Sequence, residues 1–298
     1  MEQIINRDLV CQTCLVCQDF SRDLRICFVL LCSVFIVQAN IAQSTVVAPF
    51  HDGEELCYDI HYKYGLVMLK AGSVRHSIDE TNYEKQSAYK AVLNFKTTSF
   101  FDKIFKIRDT LNSYISIPEL VPIYHNRSVN EGNYHCREEL IVNEHGSTYS
   151  EMRSKQERNG KIRFDTILSV NNLAYDIVNI FTYVRTLNYR TMNQGDSYKL
   201  TVFMGSEKAN ILIRYEGQSA IEESKTVKYK ALKFAIDIVA DKAFDQAKNA
   251  MEAWISDDEN RIPIKMVAKL KIGVAEAKLS SYKNIKNPFN AKIVIKNK

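Results

Sequence analysis

Glycine and proline are scarce in this 298-residue chain, with ten and five copies. That scarcity excludes a collagen-like or low-complexity protein. Tryptophan occurs once, against sixteen Tyr and fourteen Phe, a balance that suits broad sheets on whose pleats aromatic rings pack. No Gly-x-Ser-x-Gly and no glycine-rich phosphate loop occurs, so the sequence marks of a hydrolase elbow or a nucleotide site are missing. No repeat of fixed period is visible either, which leaves one domain rather than a solenoid.

Cysteine is present but badly placed for chemistry. Cys11, Cys14 and Cys17 form C-x-x-C-x-x-C, a spacing that invites zinc or an iron–sulfur cluster. Such a site needs a fourth ligand in fixed geometry, and these three precede an export signal. Residues 26–37 (ICFVLLCSVFIV) are apolar and uncharged, Arg22 and Arg25 stand before them, and Ala39 and Ala42 follow. Basic, apolar, small is the secretory layout, and the run is short for a bilayer span. Residues 1–42 therefore read as a signal peptide cleaved after Ala39 or Ala42, with Ala42 preferred, in an exported, periplasmic protein. Leu31 before Cys32 argues against a lipoprotein. The long segment ahead of the signal predicts a start downstream of Met1. Only Cys57 and Cys136 remain in the mature part; an oxidising compartment permits a bridge, but the two sit on strand faces with different company, which predicts separate thiols.

The net charge of +5 is mild, and the basic residues are spread along strands, thickening only at Lys283, Lys286, Lys292, Lys296 and Lys298. Solvated strand faces and a frayed tail account for this, as does peripheral contact with a membrane or an envelope polymer. Nothing marks a nucleic-acid partner.

Alternation dominates residues 43–298. From Ile262, apolar residues fall at Ile264, Met266, Ala268, Leu270, Ile272 and Val274 with lysines between, so one face is buried and one wet. At Gly273 the parity moves to Ala275, Ala277 and Leu279, which predicts a bulge in one long strand; a similar shift near Ala231 predicts another. Leu56, Tyr58, Ile60, Tyr62 and Tyr64 alternate likewise. Further strands are predicted over 89–99, 109–117, 135–142, 161–168, 198–204 and 209–215, with a turn at 256–260. Leu173, Ile177, Ile180, Phe181, Val184 and Leu187 have helical spacing, with Asn171 or Asn172 as cap. Phe100, Phe101, Ile104 and Phe105 suggest a shorter helix over 99–107, and residues 243–253 are ambiguous. The fold class is mainly β: long, bulged antiparallel strands in a curved sheet or barrel, with one main helix, 173–187, packed against it. Two β lobes around that helix are the variant of this single-domain reading.

Three stretches are recognisable. Residues 53–62 (GEELCYDIHY) with Lys70-Ala71-Gly72, residues 181–185 (FTYVR) with Gly195-Asp196, and residues 252–264 (EAWISDDENRIPI) are together similar to the bacterial exported family called domain of unknown function 3108. They span most of residues 50–283. The resemblance implies a Gram-negative envelope protein with a β-rich fold, and it implies no activity. The long cysteine-rich leader departs from the family.

No catalytic or metal set follows from the remaining residues. Asp257, Asp258 and Glu259 are adjacent carboxylates, but neighbours on a turn point apart, and a calcium loop spaces its oxygens over a longer stretch. His125 and His135 match no metal spacing. Asn126-Arg127-Ser128 fits a glycosylation pattern that a bacterial protein leaves unused. Tyr58, Tyr62 and Tyr64 share a face and could line a cavity with Trp254, or form ordinary sheet core. Arg185 could anchor an anionic head group or pair with an acid of the sheet. The candidate ligand-binding residues are thus Tyr58, Tyr62, Arg185 and Trp254, with no cofactor, metal or catalytic residue. The expected function is a non-enzymatic carrier of a lipid-like or other apolar ligand. An envelope scaffold without ligand is the alternative, and a hydrolase the third reading.

Overall fold

The computed structural model describes residues 47–239, 247–270 and 272–295. The signal layout, its cleavage sites and the Cys11–Cys14–Cys17 motif lie outside them, as does the first part of the ambiguous segment 243–253.

The described chain is mostly strand. In order come β1 (Glu54–Tyr64), β2 (Val67–Tyr83), β3 (Gln86–Thr97), a one-turn helix α1 (Ser99–Asp102), β4 (Arg108–Ser116), β5 (Pro122–Glu131), β6 (Tyr134–His145), β7 (Ser150–Arg158), β8 (Lys161–Val170) and β9 (Ala174–Tyr175). The main helix α2 (Ile177–Tyr183) follows, continued by a 3-10 turn (Val184–Thr186) and, after a break, a second one (Tyr189–Thr191). Then come β10 (Ser197–Met204), β11 (Glu207–Ser224), β12 (Val227–Val239), β13 (Ala247–Ser256), β14 (Pro263–Lys269), β15 (Val274–Lys283) and β16 (Lys292–Val294).

Fifteen strands lie on one path, β8 through β1, then β15 back through β9, while β16 pairs with β12 beside it. Apart from β9 with β10, neighbours are antiparallel. The sheet curls until its far strands meet. Leu140 and Met152 of β6 and β7 share a core with Ala174 and Phe203 of β9 and β10. The β10–β11 turn is held there by the Ser154 hydroxyl, which donates to the Gly205 carbonyl at 2.6 Å, and by the Gly205 N–H, which donates to Glu138 Oε1 at 2.9 Å. Side chains, rather than a strand ladder, bring this barrel-like sheet near closure.

Several expectations need correction. Residues 262–279 are a hairpin, not one bulged strand: β14 and β15 pair from Lys265↔Lys278 to Lys269↔Val274. Gly273 is a turn residue at φ +76°, and a Cβ there would stand 2.5 Å from the Lys63 carbonyl oxygen. A turn flips parity just as a bulge does, which is why the pattern misled. Near Ala231 β12 itself carries no extra residue. The bulge lies opposite, where β11 passes from Tyr215 to Gly217 against Phe234 and Lys233. The apolar parity along β12 shifts because both faces are covered: Tyr229 and Ala231 pack outside with Ile264 and Phe289, whereas Leu232, Phe234 and Ile236 face the main core.

The helix is shorter than 173–187, since Asp176 caps it by accepting from the N–H groups of Val178 and Asn179. A side-chain acceptor at that position satisfies two of the orphan donors of the first turn. Residues 174–175 are strand instead. The helix over 99–107 stops at Asp102, which is drawn back to Arg108 at 2.6 Å. Phe100, Ile104 and Phe105 are left exposed. The strands β2, β5 and β7 and the short β16 escaped the alternation count. The inward positions of β7 include Ser150 and Ser154, small polar residues fully buried beneath neighbouring turns.

Candidate functional site

Between α2 and the inner face of the sheet lies an apolar cavity of about 360 Å³. Tyr58 and Ile60 of β1, Val74 of β2, Leu93 of β3, Phe234 and Ile236 of β12, Met266 of β14 and Ala277 of β15 form its wall, and Ile180 and Phe181 of α2 its lid. The wall follows from alternation: each long strand turns every second side chain inward, and those side chains are apolar.

One end of this cavity is closed by a buried ion pair. Arg185, in the 3-10 turn that continues α2, donates through Nη1 and Nη2 to the two carboxylate oxygens of Glu54, the latter at 3.0 Å, and through Nε and Nη2 to the Asn260 carbonyl at 3.2 and 3.0 Å. Both charged side chains are wholly out of water. Asn260 belongs to the turn that joins β13 to β14. Asp258 organises that turn, accepting from Ser256 Oγ, Asn260 N and, on its other oxygen, Ala291 N. The Asn260 side chain bonds the backbone of Asn287 and Pro288. The run of carboxylates is therefore a structural knot, tying helix, barrel wall and C-terminal segment together. Toward the opposite end the cover thins among the described residues. Along β1 the inward side chains pass from Leu56 and Tyr58, at 0% and 1% exposure, to half-buried Ile60, and the strand ends at Tyr64, 64% exposed.

The structure separates the four candidate ligand-binding residues. Tyr58 lines the cavity. Tyr62 does not; β1 is still paired with β15 here, and the Tyr62 hydroxyl donates to the Ile272 carbonyl of the β14–β15 turn at 3.0 Å. Trp254 lies on the outer face, with Lys233 and Lys265 5.4 and 5.3 Å from its ring centre. Plain alternation along β13 accounts for this, since the flanking Ala253 and Ile255 face inward. Arg185 is committed to Glu54, the structural pairing weighed against a head-group contact.

Polar groups also gather beside the lid. The Tyr58 hydroxyl, both ring nitrogens of His76, the Asn179 amide and the Thr182 hydroxyl are buried with no hydrogen-bond partner among the described residues. Tyr58 and His76 both pack edge-on against Phe181, at 6.2 and 5.0 Å between ring centres. Burial pushes the Tyr58 hydroxyl well above its ordinary pKa. Burial, with nearby Arg185, pushes His76 down to about 3. His76 is thus a neutral ring at ordinary pH. Sequence reasoning passed over it because His76 carries no motif; its position opposite Leu56 on the inner face was the available signal.

A second cluster has the residue types of a hydrolase but not the order. Ser113 Oγ donates to Asp176 Oδ2 at 2.6 Å, and His125 Nδ1 stands 3.3 Å from Asp176 Oδ1. Burial alone would raise the Asp176 pKa, but His125, Ser113 and the Asn179 N–H bring it below the usual carboxylate value. The carboxylate sits between Ser and His, so the imidazole cannot take the serine proton. Cys57 and Cys136 are free thiols. No helix among the described residues is long and apolar enough to cross a membrane.

A family model described as a protein of unknown function, DUF3108, matches residues 57–280. Among solved structures, a β-barrel-like protein of the domain of unknown function DUF1849 from Brucella abortus superposes with a TM-score of 0.51 at 10% identity, covering 80% of this chain and 99% of that one. That likeness shows the fold alone. A protein from Bacteroides fragilis, described as exported with a YmcC-like fold, aligns over 80% of this chain and 100% of its own at 9% identity and a TM-score of 0.31. No curated protein matches the sequence.

Proposed function

The chain belongs to the DUF3108 family, and from that premise we propose that it is an exported, periplasmic binding protein that carries an apolar, lipid-like molecule in the cavity beneath α2. The cavity itself carries the reading. Its volume, about 360 Å³, lies in the range of small-molecule sites, which are mostly apolar with a few convergent polar groups. Apolar lining left in contact with water is unfavourable in proportion to its area. An apolar guest relieves much of that cost, whereas water finds few partners on this lining.

The ligand's polar end, in this reading, meets the Tyr58 hydroxyl rather than Arg185. A neutral donor in an apolar wall suits a hydroxyl, carbonyl or protonated acid better than a full charge, whose desolvation nothing nearby would offset. Native mass spectrometry of protein purified from cells tests the proposal and should reveal a co-purifying lipid-like mass. An envelope scaffold filled by its own side chains would instead show the bare chain and no uptake of an apolar fluorescent probe.

A further inference from the structure

The apolar side chains left outside the sheet are concentrated at the end of the barrel away from the Arg185–Glu54 pair. The β1–β2 turn carries Leu66, fully exposed, and Leu69, 44% exposed. Every residue from 63 to 70 is exposed, so both faces of this hairpin tip are uncovered. Beside it α1 and its following turn present Phe100 and Ile104, 58% and 70% exposed. The two segments are joined where the Thr98 N–H donates to the Ala71 carbonyl at 2.9 Å. The β14–β15 turn adds Ile272, 65% exposed, fastened to β1 through Tyr62. Among the described residues, ten of the seventeen exposed large apolar side chains belong to these three adjacent turns. Single exposed apolar residues are ordinary, but a contiguous group marks a surface that something covers.

Charge says what kind of surface. Lys63, Lys103 and Lys269 are exposed at the same tips, and among the described residues no ion pair involves them. The carboxylates Asp59 and Asp102 are already taken, by Lys70 at 2.7 Å and Arg108 at 2.6 Å. Apolar tips ringed by unmatched lysines complement an interfacial layer whose head groups are negative. We propose that this end of the barrel docks on an anionic membrane surface, its three turns entering the head-group layer. A folded protein partner would need a groove matched to each turn on both faces, whereas a bilayer interface needs none. Docking rests on the exposed side chains alone. Exchange of cargo at this end, without passage through water, rests on the carrier reading.

The test uses protein purified from cells, with vesicles of phosphatidylcholine alone or with about 30% phosphatidylglycerol. The protein should sediment with the anionic vesicles and be released by salt, because screening shortens the reach of the lysines. Leu66→Asp with Leu69→Asp should weaken vesicle binding about tenfold or more while the melting temperature stays unchanged. If that variant fails to fold, Lys63→Glu with Lys103→Glu and Lys269→Glu decides, and should abolish the salt-sensitive part. Wild-type protein that ignores anionic vesicles, or rim variants that bind as wild type, would overturn the proposal. So would a wild-type dimer that the rim variants split while no form touches vesicles, since the rim would then join two copies. Uptake of an apolar fluorescent probe, measured without vesicles, reports on the cavity separately. Probe uptake lost with vesicle binding kept would end the carrier reading and leave docking standing.

Discussion

The two ends of the cavity are built on opposite terms. At the closed end Arg185, Glu54 and Asn260 are fully buried and bonded to one another. At the other end Leu66 and Ile272 stand in solvent beside lysines without an ion pair among the described residues. Buried charge is tolerated only when matched atom by atom, so the closed end demands particular residue types. An interfacial end demands only that some apolar and some basic side chains project, and many sequences meet that need. The three stretches that mark the family accordingly include Glu54, Arg185 and Asn260 of the plug.

The largest effect should come from breaking the plug. Arg185→Met leaves the Glu54 carboxylate buried without a partner, and is expected to cost about 3–5 kcal/mol in urea unfolding. Pairing it with Glu54→Leu should restore much of that loss; a double variant as weak as the single would show that packing, not charge, holds this end.

His76 gives the next effect, through pH. Its folded pKa, about 3, is depressed below the ordinary value for histidine, so the unfolded chain takes up the proton first as pH falls. Its contribution is complete above about pH 6.5 and is lost by about 1.4 kcal/mol per pH unit on the way down. His76→Leu should flatten the stability curve between about pH 6.5 and pH 5; an unchanged slope would mean that His76 is hydrated.

A smaller change should separate cavity from fold. Ala277→Phe projects a ring into the cavity, and should weaken binding of an apolar probe about tenfold while leaving the unfolding midpoint near wild type. Probe affinity that does not move would place the guest elsewhere. Trp254→Phe should do least, changing stability by under about 1 kcal/mol and probe affinity not at all, because the ring lies outside the barrel. A shift of Trp254 emission on loading the cavity would contradict that placement.

How much of this was legible varied with the type of signal. Alternation along residues 54–64 identified β1 and the inward place of Tyr58, because a half-buried strand must repeat every second residue. It could not separate Tyr58 from Tyr62, which obey the same alternation, although Tyr58 lines the cavity and Tyr62 reaches the β14–β15 turn. Nor could it tell the turn at Gly273 from a bulge, since both displace parity by one. Trp254 and Arg185 drew notice as chemically rich residues, yet the first packs outward under two lysines and the second is used up by Glu54, 131 positions away.

Local patterning by itself determined that this chain is a mainly antiparallel β protein with one main helix, because alternation and capping act over a few residues. It also determined the family, through residues 252–264 above all. Only the tertiary structure decided that the sheet curls until β6 and β7 meet β9 and β10, and that Glu54 meets Arg185. The 360 Å³ left beneath α2 was likewise decided there. Each depends on which distant strands become neighbours, and a cavity is a difference between wall and filling that no single stretch of chain encodes.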